Sequence, residues 1–192
     1  ISEDIVTERI IAHVLSVVAD EDQDRVWRDY CVQKLPQLLT KPSLSEKSKH
    51  DGLALLEDAV EGAYPGMQGT ALIAAMALES AGFWGPEETA TQAAYLGEPA
   101  FLCAANHKNP LIDRVTALQI AGRYAPQRTG DYAASLLLSG EPQPPTMLQV
   151  SAIATLGKIG DERHRPILET FRRAIDIRKR KAARVALAHF EQ

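Results

Sequence analysis

Apolar side chains recur at intervals of three and four residues along almost the whole chain, the spacing that gives an α-helix one buried face. The sequence lacks the alternating apolar and polar runs between hairpin turns that would predict strands. With glycine, proline and clusters of Asp, Ser and Asn taken as boundaries, the pattern predicts ten helices. They span residues 3–19, 24–39, 45–62, 67–82, 87–96, 110–124, 128–139, 144–158, 162–174 and 176–190. The sequence therefore predicts an all-α fold.

Two of the predicted helices contain nine-residue stretches that match position by position in residue type. RVTALQIAG at 114–122 and QVSAIATLG at 149–157 both read Arg or Gln, Val, a hydroxyl residue, Ala, a branched aliphatic residue and a final Gly. The same repeat motif fits RDYCVQKL from Arg28, QGTALIAA from Gln68 and, more loosely, RKAARVAL from Arg180. Successive copies start 40, 46, 35 and 31 residues apart. These intervals bracket the repeat length of solenoids built from helix pairs.

The fourth and fifth positions of the repeat motif have a physical explanation. A small residue at the fourth position allows close approach of a neighbouring helix, and an apolar residue at the fifth adds contact area. The fourth positions are Cys31, Ala71, Ala117, Ala152 and Ala183, and the fifth are Val32, Leu72, Leu118 and Ile153. Arg184 takes the fifth position in the last copy, as expected for the polar outer face of a terminal repeat.

The stretch QVSAIATLGKIGDERHRPIL, residues 149–168, predicts a helix, a stop and the start of a second helix. Gly157 and Gly160 are expected to end the first helix and Asp161 to cap the second. Pro166 is expected in the first turn, because a proline deeper in a helix costs about 3 kcal/mol. VSAIATLGKIGDERHRPILETF resembles a HEAT repeat, with its small-residue-rich first helix, Gly-Asp turn and early proline in the second helix.

The resemblance implies an α-α superhelix, a HEAT-like solenoid of about five helix pairs formed by residues 1–192 as a single domain. The chain opens ISEDIV without an initiator Met, so we expect a mature form or a fragment of a longer chain. The pattern is poorest over 83–109, where Phe83, Trp84, Tyr95 and Phe101 would either fill a packing gap or form a binding insertion. HEAT-like proteins include scaffolds, transport factors, bilin lyases and DNA glycosylases, so the resemblance implies architecture rather than function.

Candidate chemistry in the sequence is sparse. None of the nucleophile, phosphate-binding or metalloprotease motifs is present, and the histidines do not pair at helical spacing. Cys31 and Cys103 lack the spacing of a metal site or a disulfide framework, which favours buried thiols. Cys103 precedes His107 by four residues, but without a third orienting group a semi-buried thiol beside a solvated histidine is the commoner arrangement. We therefore expect no catalytic site, no metal and no cofactor, and the sequence indicates no compartment.

Charge is graded along the chain although the net charge is only −4. Residues 1–100 hold 7 Lys and Arg against 17 Asp and Glu, whereas residues 161–192 hold 9 against 5. Second helices of HEAT pairs line the concave face, so the resemblance implies a basic binding surface near the carboxyl end. Its predicted residues are Arg128, Tyr132, Arg165, Arg172 and Arg173. The alternative for the arginines of 161–192 is a solvated terminal face.

The expected function is that of a non-enzymatic scaffold that binds a protein or peptide along the concave helical surface. The alternative is a nucleic-acid-binding, DNA-glycosylase-like HEAT protein, for which Trp27, Trp84 and the arginines supply suitable residue types. The acidic first half would repel a duplex along much of the groove. A third possibility, a bilin-lyase-like enzyme, has only the fold in its favour. No stretch approaches the roughly 18 apolar residues of a membrane span.

Overall fold

The computed structural model describes residues 3–84, 86–140 and 142–191, with side chains described throughout those ranges except at residues 3, 4 and 86–94. Within these ranges there are ten α-helices, a short 3-10 helix at Glu162–His164, and no strand. The all-α prediction is therefore confirmed. The helices are α1 (Glu3–Ala19), α2 (Arg25–Leu39), α3 (Glu46–Glu61), α4 (Gln68–Ser80), α5 (Pro86–Ala105), α6 (Leu111–Tyr124), α7 (Pro126–Leu138), α8 (Thr146–Ile159), α9 (Arg165–Phe171) and α10 (Ile177–Ala188).

The chain divides into two compact units, an amino-terminal unit of residues 1–93 and a carboxyl-terminal unit of residues 94–192. In the amino-terminal unit α2 packs against α1, α3 and α4, and α3 also packs against α1 and α4. In the carboxyl-terminal unit α8 packs against α6, α7, α9 and α10. The helices that carry the repeat motif therefore pack on one another within each unit, α2 on α4 in one and α6 on α8 on α10 in the other.

The small residues at the fourth motif position are buried, as predicted for interhelical contacts. All five have at most 1% of their surface exposed, and the apolar residues that follow four of them are fully buried. Arg184 is exposed in the last copy. The repeat motif thus marks the buried face of each of its helices.

The first motif position is Arg or Gln in all five copies, and its side chain donates a hydrogen bond to a backbone carbonyl in each of them. In three copies its side chain donates to the carbonyl of the last-but-one residue of the preceding helix. The pairs are Arg28 with Val18, Gln68 with Val60 and Arg114 with Ala104, at nitrogen–oxygen distances of 2.8 to 3.0 Å. Such carbonyls have no partner inside their own helix. The side chain therefore caps one helix and fixes where the next begins.

In the other two copies the same position bonds a carbonyl in the connection before its helix. Gln149 donates to the carbonyl of Pro144, and Arg180 donates to that of Ala174. The third position adds a second recurrent bond between helices. The hydroxyl of Thr70 donates to the Asp29 carboxylate, and that of Ser151 donates to the Val115 carbonyl. Asp29 and Val115 hold the second motif position in the helices on which α4 and α8 pack.

The turn after α8 follows the prediction in part. Gly160 ends α8 with a left-handed φ of 68°, the Asp161 carboxylate accepts from the Arg163 amide, and Pro166 lies in the first turn of α9. The prediction that Gly157 also ends the helix is wrong, because α8 continues to Ile159. Gly157 is buried where a Cβ would clash with Ala186 of α10, so its function is close helix packing.

Two other predicted boundaries are wrong. Gly97, Glu98 and Pro99 were expected to follow a helix ending at 96, but α5 continues to Ala105. An apolar stripe carries α5 past them, comprising Leu96, Ala100, Cys103 and Ala104, each at most 1% exposed. A Cβ at Gly97 would lie 3.2 Å from the Tyr124 carbonyl oxygen, so glycine suits this close approach. Likewise, α9 ends at Phe171 rather than 174, which leaves Arg172 and Arg173 in the following turn.

The packing at the fourth motif position predicts the effect of overfilling it. We expect Ala152→Phe to lower the free energy of unfolding by about 1–3 kcal/mol, because its ring has no space between α8 and its neighbours. Urea denaturation followed by far-ultraviolet circular dichroism measures this. Lys158→Phe, at an exposed position of the same helix, is the matched control. Equal midpoints for the two variants would contradict the packing assignment.

The cap at the first motif position predicts a second loss of stability. Arg28 is 7% exposed, and two of its nitrogens donate to Val18. We expect Arg28→Met to cost about 1–3 kcal/mol, because it leaves a buried carbonyl without a charged donor. Arg184→Met, which removes an exposed arginine, is expected to change stability far less. A comparable loss in both variants would mean that charge rather than the cap is responsible.

Candidate binding surfaces

Two of the five residues predicted to bind a partner have structural contacts inside the carboxyl-terminal unit. Arg128 forms an ion pair with Glu98, and its guanidinium lies 3.7 Å from the centre of the Phe101 ring. The Tyr132 hydroxyl donates to the Ala104 carbonyl at 3.2 Å, and its ring meets Phe101 edge-on. These contacts hold α7 against the carboxyl-terminal part of α5.

The three remaining predicted residues lie around α9. Arg165 pairs with Glu162 and Arg172 with Glu169, each at a nitrogen–oxygen distance of 3.6 Å between exposed side chains. Arg173 is exposed in the turn after α9. In the described part of the chain no hydrogen bond or ion pair joins these arginines to Arg128 or Tyr132. The structure thus brings together Arg128 and Tyr132, around Phe101, and places the other three arginines at a solvated helix and turn.

A second concave surface, which the sequence did not predict, lies between α1 and α2 of the amino-terminal unit. This α1–α2 groove is partly open and has a volume of about 630 Å³. Residues at helical spacing on both helices line it: Val6, Arg9, Ile10, His13 and Val14 from α1, and Trp27, Tyr30, Cys31, Lys34, Gln37, Leu38 and Lys41 from α2 and the residues just after it. Its volume is in the range of sites that hold ligands or side-chain clusters.

The walls of the groove are unusually apolar and aromatic for exposed surface. Val6, Ile10, Trp27 and Tyr30 each have between 42% and 46% of their surface exposed. The Trp27 and Tyr30 rings stack at 5.6 Å between centres with an angle of 14° between their planes. The two side chains lie about one turn apart on α2 and together form an aromatic wall of the groove.

The groove carries basic side chains although residues 1–100 contain more Asp and Glu than Lys and Arg. Arg9, Lys34 and Lys41 line it, and its described lining residues include no Asp or Glu. The Lys34 ammonium lies 5.2 Å from the centre of the Tyr30 ring. In the part of the chain that the structure describes, no carboxylate lies within ion-pair distance of these three cations. Among the described residues, the groove therefore places three cations without an ion-pair partner beside apolar surface.

Neither thiol is arranged as a nucleophile. Cys31, at the base of the groove, is 1% exposed, and burial raises the pKa of its thiol. Burial also raises the pKa of the Cys103 thiol to about 11. His107 lies in the turn after α5, whereas Cys103 lies within that helix and its sulfur accepts from the Asn109 amide at 3.4 Å. The spacing of Cys103 and His107 therefore does not place them on one helical face.

The sequence contained a signal for the groove in the composition of α1. Its apolar residues include Ile5, Val6 and Ile10 as well as a buried set, Ile11, Val14, Val17 and Val18. A helix that packs on one side only needs a single apolar stripe, and α1 has more. The packing of α2 and α3 against α1 decides which of its apolar residues remain exposed to solvent. The spacing of residues along the sequence does not reveal this.

The described residues form neither a metal site nor a membrane-spanning helix. Among the residues that the structure describes, no three His, Cys, Asp or Glu side chains come together as a metal site would require. No helix in the same ranges combines the length and apolarity needed to cross a bilayer.

Comparison with known proteins identifies no relative of this chain. No protein-family model matches the sequence, and no curated protein matches it.

Proposed function

We propose that this protein is a non-enzymatic, HEAT-like helical-repeat module that binds a segment of a partner protein in the α1–α2 groove. The observation that carries the proposal is the stacked Trp27–Tyr30 wall, exposed beside Val6 and Ile10. Large aromatic side chains in concave surfaces contribute most of the energy in many protein interfaces. Their few rotatable bonds keep the entropic cost of contact low.

The HEAT-like part of the proposal is supported by interactions that recur at the same motif positions. The side chains of Arg28, Gln68 and Arg114 bond the end of the preceding helix in the same way. Small residues at the fourth motif position are buried in both units, and motif-bearing helices pack on one another in each unit. Helices linked in succession by one repeated set of contacts are the basis of solenoid architecture, whose surfaces commonly serve as binding platforms. A superhelical array with a concave face is the arrangement that this proposal expects.

The binding role, rather than catalysis, is supported by the chemistry of the groove. Its described ionisable lining consists of two amines, a guanidinium, an imidazole, the Tyr30 phenol and a buried thiol whose pKa is raised. Nucleophilic catalysis needs an activated nucleophile, a base and a group that orients the base. Cations beside aromatic and aliphatic surface instead provide complementarity for a partner.

Site-specific cross-linking tests the proposed groove. A photoreactive phenylalanine analogue at Gln37, an exposed lining residue, is irradiated in extract of the source cells, and cross-linked products are identified by mass spectrometry. We expect a discrete protein adduct that is lost in the Trp27→Ser, Tyr30→Ser double variant, because the aromatic wall is gone. Adducts that are unchanged by this double substitution would show that the groove does not bind the partner.

The arginines around α9 provide the matched comparison and test the surface predicted from sequence. In Arg165→Ala, Arg172→Ala, Arg173→Ala we expect the Gln37 adduct to persist, because exposed ion pairs contribute only about 0–1 kcal/mol each. If the partner extends to this surface, its association slows and becomes less sensitive to salt in the triple variant. Loss of the adduct in the triple variant alone would move the site from the groove to the carboxyl-terminal unit.

Thiol reactivity tests the non-enzymatic assignment. At pH 8 a thiol with a pKa of about 11 is only about 0.1% thiolate, so we expect Cys103 to resist iodoacetamide in the native protein. Cys31 is expected to resist as well, because it is buried. Alkylation in 8 M urea, resolved by peptide mass spectrometry, is the control. Rapid native alkylation of Cys103 at pH 7 would reveal an activated thiol and contradict the assignment.

A further inference from the structure

We infer that the segment bound by the α1–α2 groove is an amphipathic helix whose apolar stripe is bordered by Asp or Glu residues. The inference rests on the proposed function, because it specifies the occupant of the same groove. It follows from three features of the lining: the spacing of its residues, its charge, and the position of the nearest carboxylates.

The groove has the length and periodicity of a helix-binding site. On α2 and the residues just after it, the lining residues run from Trp27 to Lys41 at steps of three and four. At 1.5 Å per residue this row is about 21 Å long, which matches about four helical turns. On α1 the opposite wall repeats at the same steps from Val6 to Val14. Two rows of this kind on opposite walls of one groove fit a helix that offers apolar anchors at i, i+3, i+4 and i+7.

The charge of the groove selects carboxylates on such a helix. Arg9 and Lys41 are exposed and Lys34 is half-buried, so three of the 7 Lys and Arg residues of 1–100 line this one surface. That part of the chain also contains 17 Asp and Glu, and none of those whose side chains the structure describes lines the groove. Three cations on one surface attract the carboxylates of a partner and repel its cations.

A nucleic-acid strand fits the same surface less well. The turn between α1 and α2, next to Trp27, contains Asp20, Glu21, Asp22 and Asp24, so phosphates that follow the whole groove would meet carboxylates at one end. The face of the Tyr30 ring is in contact with Trp27 and Lys34, which leaves less of it for stacking of a base. A peptide helix can place its carboxylates near Arg9 and Lys41 alone.

The test uses Trp27 as a reporter. The chain has two tryptophans, so Trp84→Phe leaves Trp27 as the single indole, in the groove. Two 18-residue peptides share leucines at i, i+3, i+4 and i+7. One carries Glu and the other Lys at the flanking positions. We expect the Glu peptide to shift Trp27 emission and to bind about tenfold more tightly than the Lys peptide at 50 mM salt, with a smaller ratio at 300 mM.

Neutralising the basic lining residues tests whether they cause the preference for the Glu peptide. In the same Trp84→Phe background, Arg9→Gln, Lys34→Gln, Lys41→Gln is expected to bring the Glu and Lys peptides to within about twofold of each other. The control removes three exposed lysines that do not line the groove, Lys47, Lys108 and Lys158, and is expected to retain the preference. Circular dichroism of both triple variants verifies that they fold alike.

The outcomes separate this inference from the proposed function. Equal binding of the two peptides, or tighter binding of oligo(dT), would overturn the acidic-helix assignment while a Trp27-dependent Gln37 adduct would still support the groove as a protein site. Loss of the preference in the Lys47, Lys108, Lys158 control would overturn the assignment to Arg9, Lys34 and Lys41. Failure of both peptides together with absence of any Gln37 adduct would overturn the inference and the proposed function together.

Discussion

The carbonyl groups at the ends of helices set the organisation of this chain. Each helix leaves its last carbonyls without intrahelical partners, and these groups are costly to bury unless a donor reaches them. Here the donor comes from the start of a following helix, as in the bonds from Arg28 to Val18 and from Arg114 to Ala104. Because the same residue that completes one helix also begins a repeat motif, the bond fixes how far the next helix is advanced along its predecessor.

The rest of the packing depends on that register. Once the first motif position is bonded, the fourth position, three residues on, is buried, and a small residue occupies it in all five copies. Ala117 and Ala152 are fully buried there, and Gly157 lies so close to Ala186 that even a methyl group would clash. The hydroxyl at the third position then reaches the neighbouring helix, as Ser151 does to Val115. Hydrogen bonds and close packing thus act on the same few positions, which is why the motif recurs.

The α1–α2 groove differs from these interfaces in chemistry as well as in exposure. Interfaces within the units are built from small and aliphatic residues, whereas the groove carries an exposed aromatic stack and Lys34 beside Tyr30. Burying that surface against an apolar helix would leave Arg9 and Lys41 without partners, at a cost that a carboxylate-bearing helix avoids. In the carboxyl-terminal unit the comparable aromatic and basic residues, Phe101 and Arg128, already satisfy one another. Arg128 is therefore already paired inside its unit, whereas Arg9 and Lys41 have no ion-pair partner among the described residues.

The sequence by itself determined the all-α class, most helix positions, the buried face of each repeat and the placement of Pro166, because these follow from local periodicity, caps and the fixed φ of proline. Tertiary structure decided the features that depend on neighbours. Helix α5 passes Gly97 and Pro99 because its apolar stripe is buried on other helices, and Gly157 is a packing residue because Ala186 lies against it. The α1–α2 groove also depends on how neighbouring helices pack. Spacing assigns Val6 and Trp27 to faces of their own helices, but only the packing of α1 against α2 leaves those faces opposite each other and open to solvent.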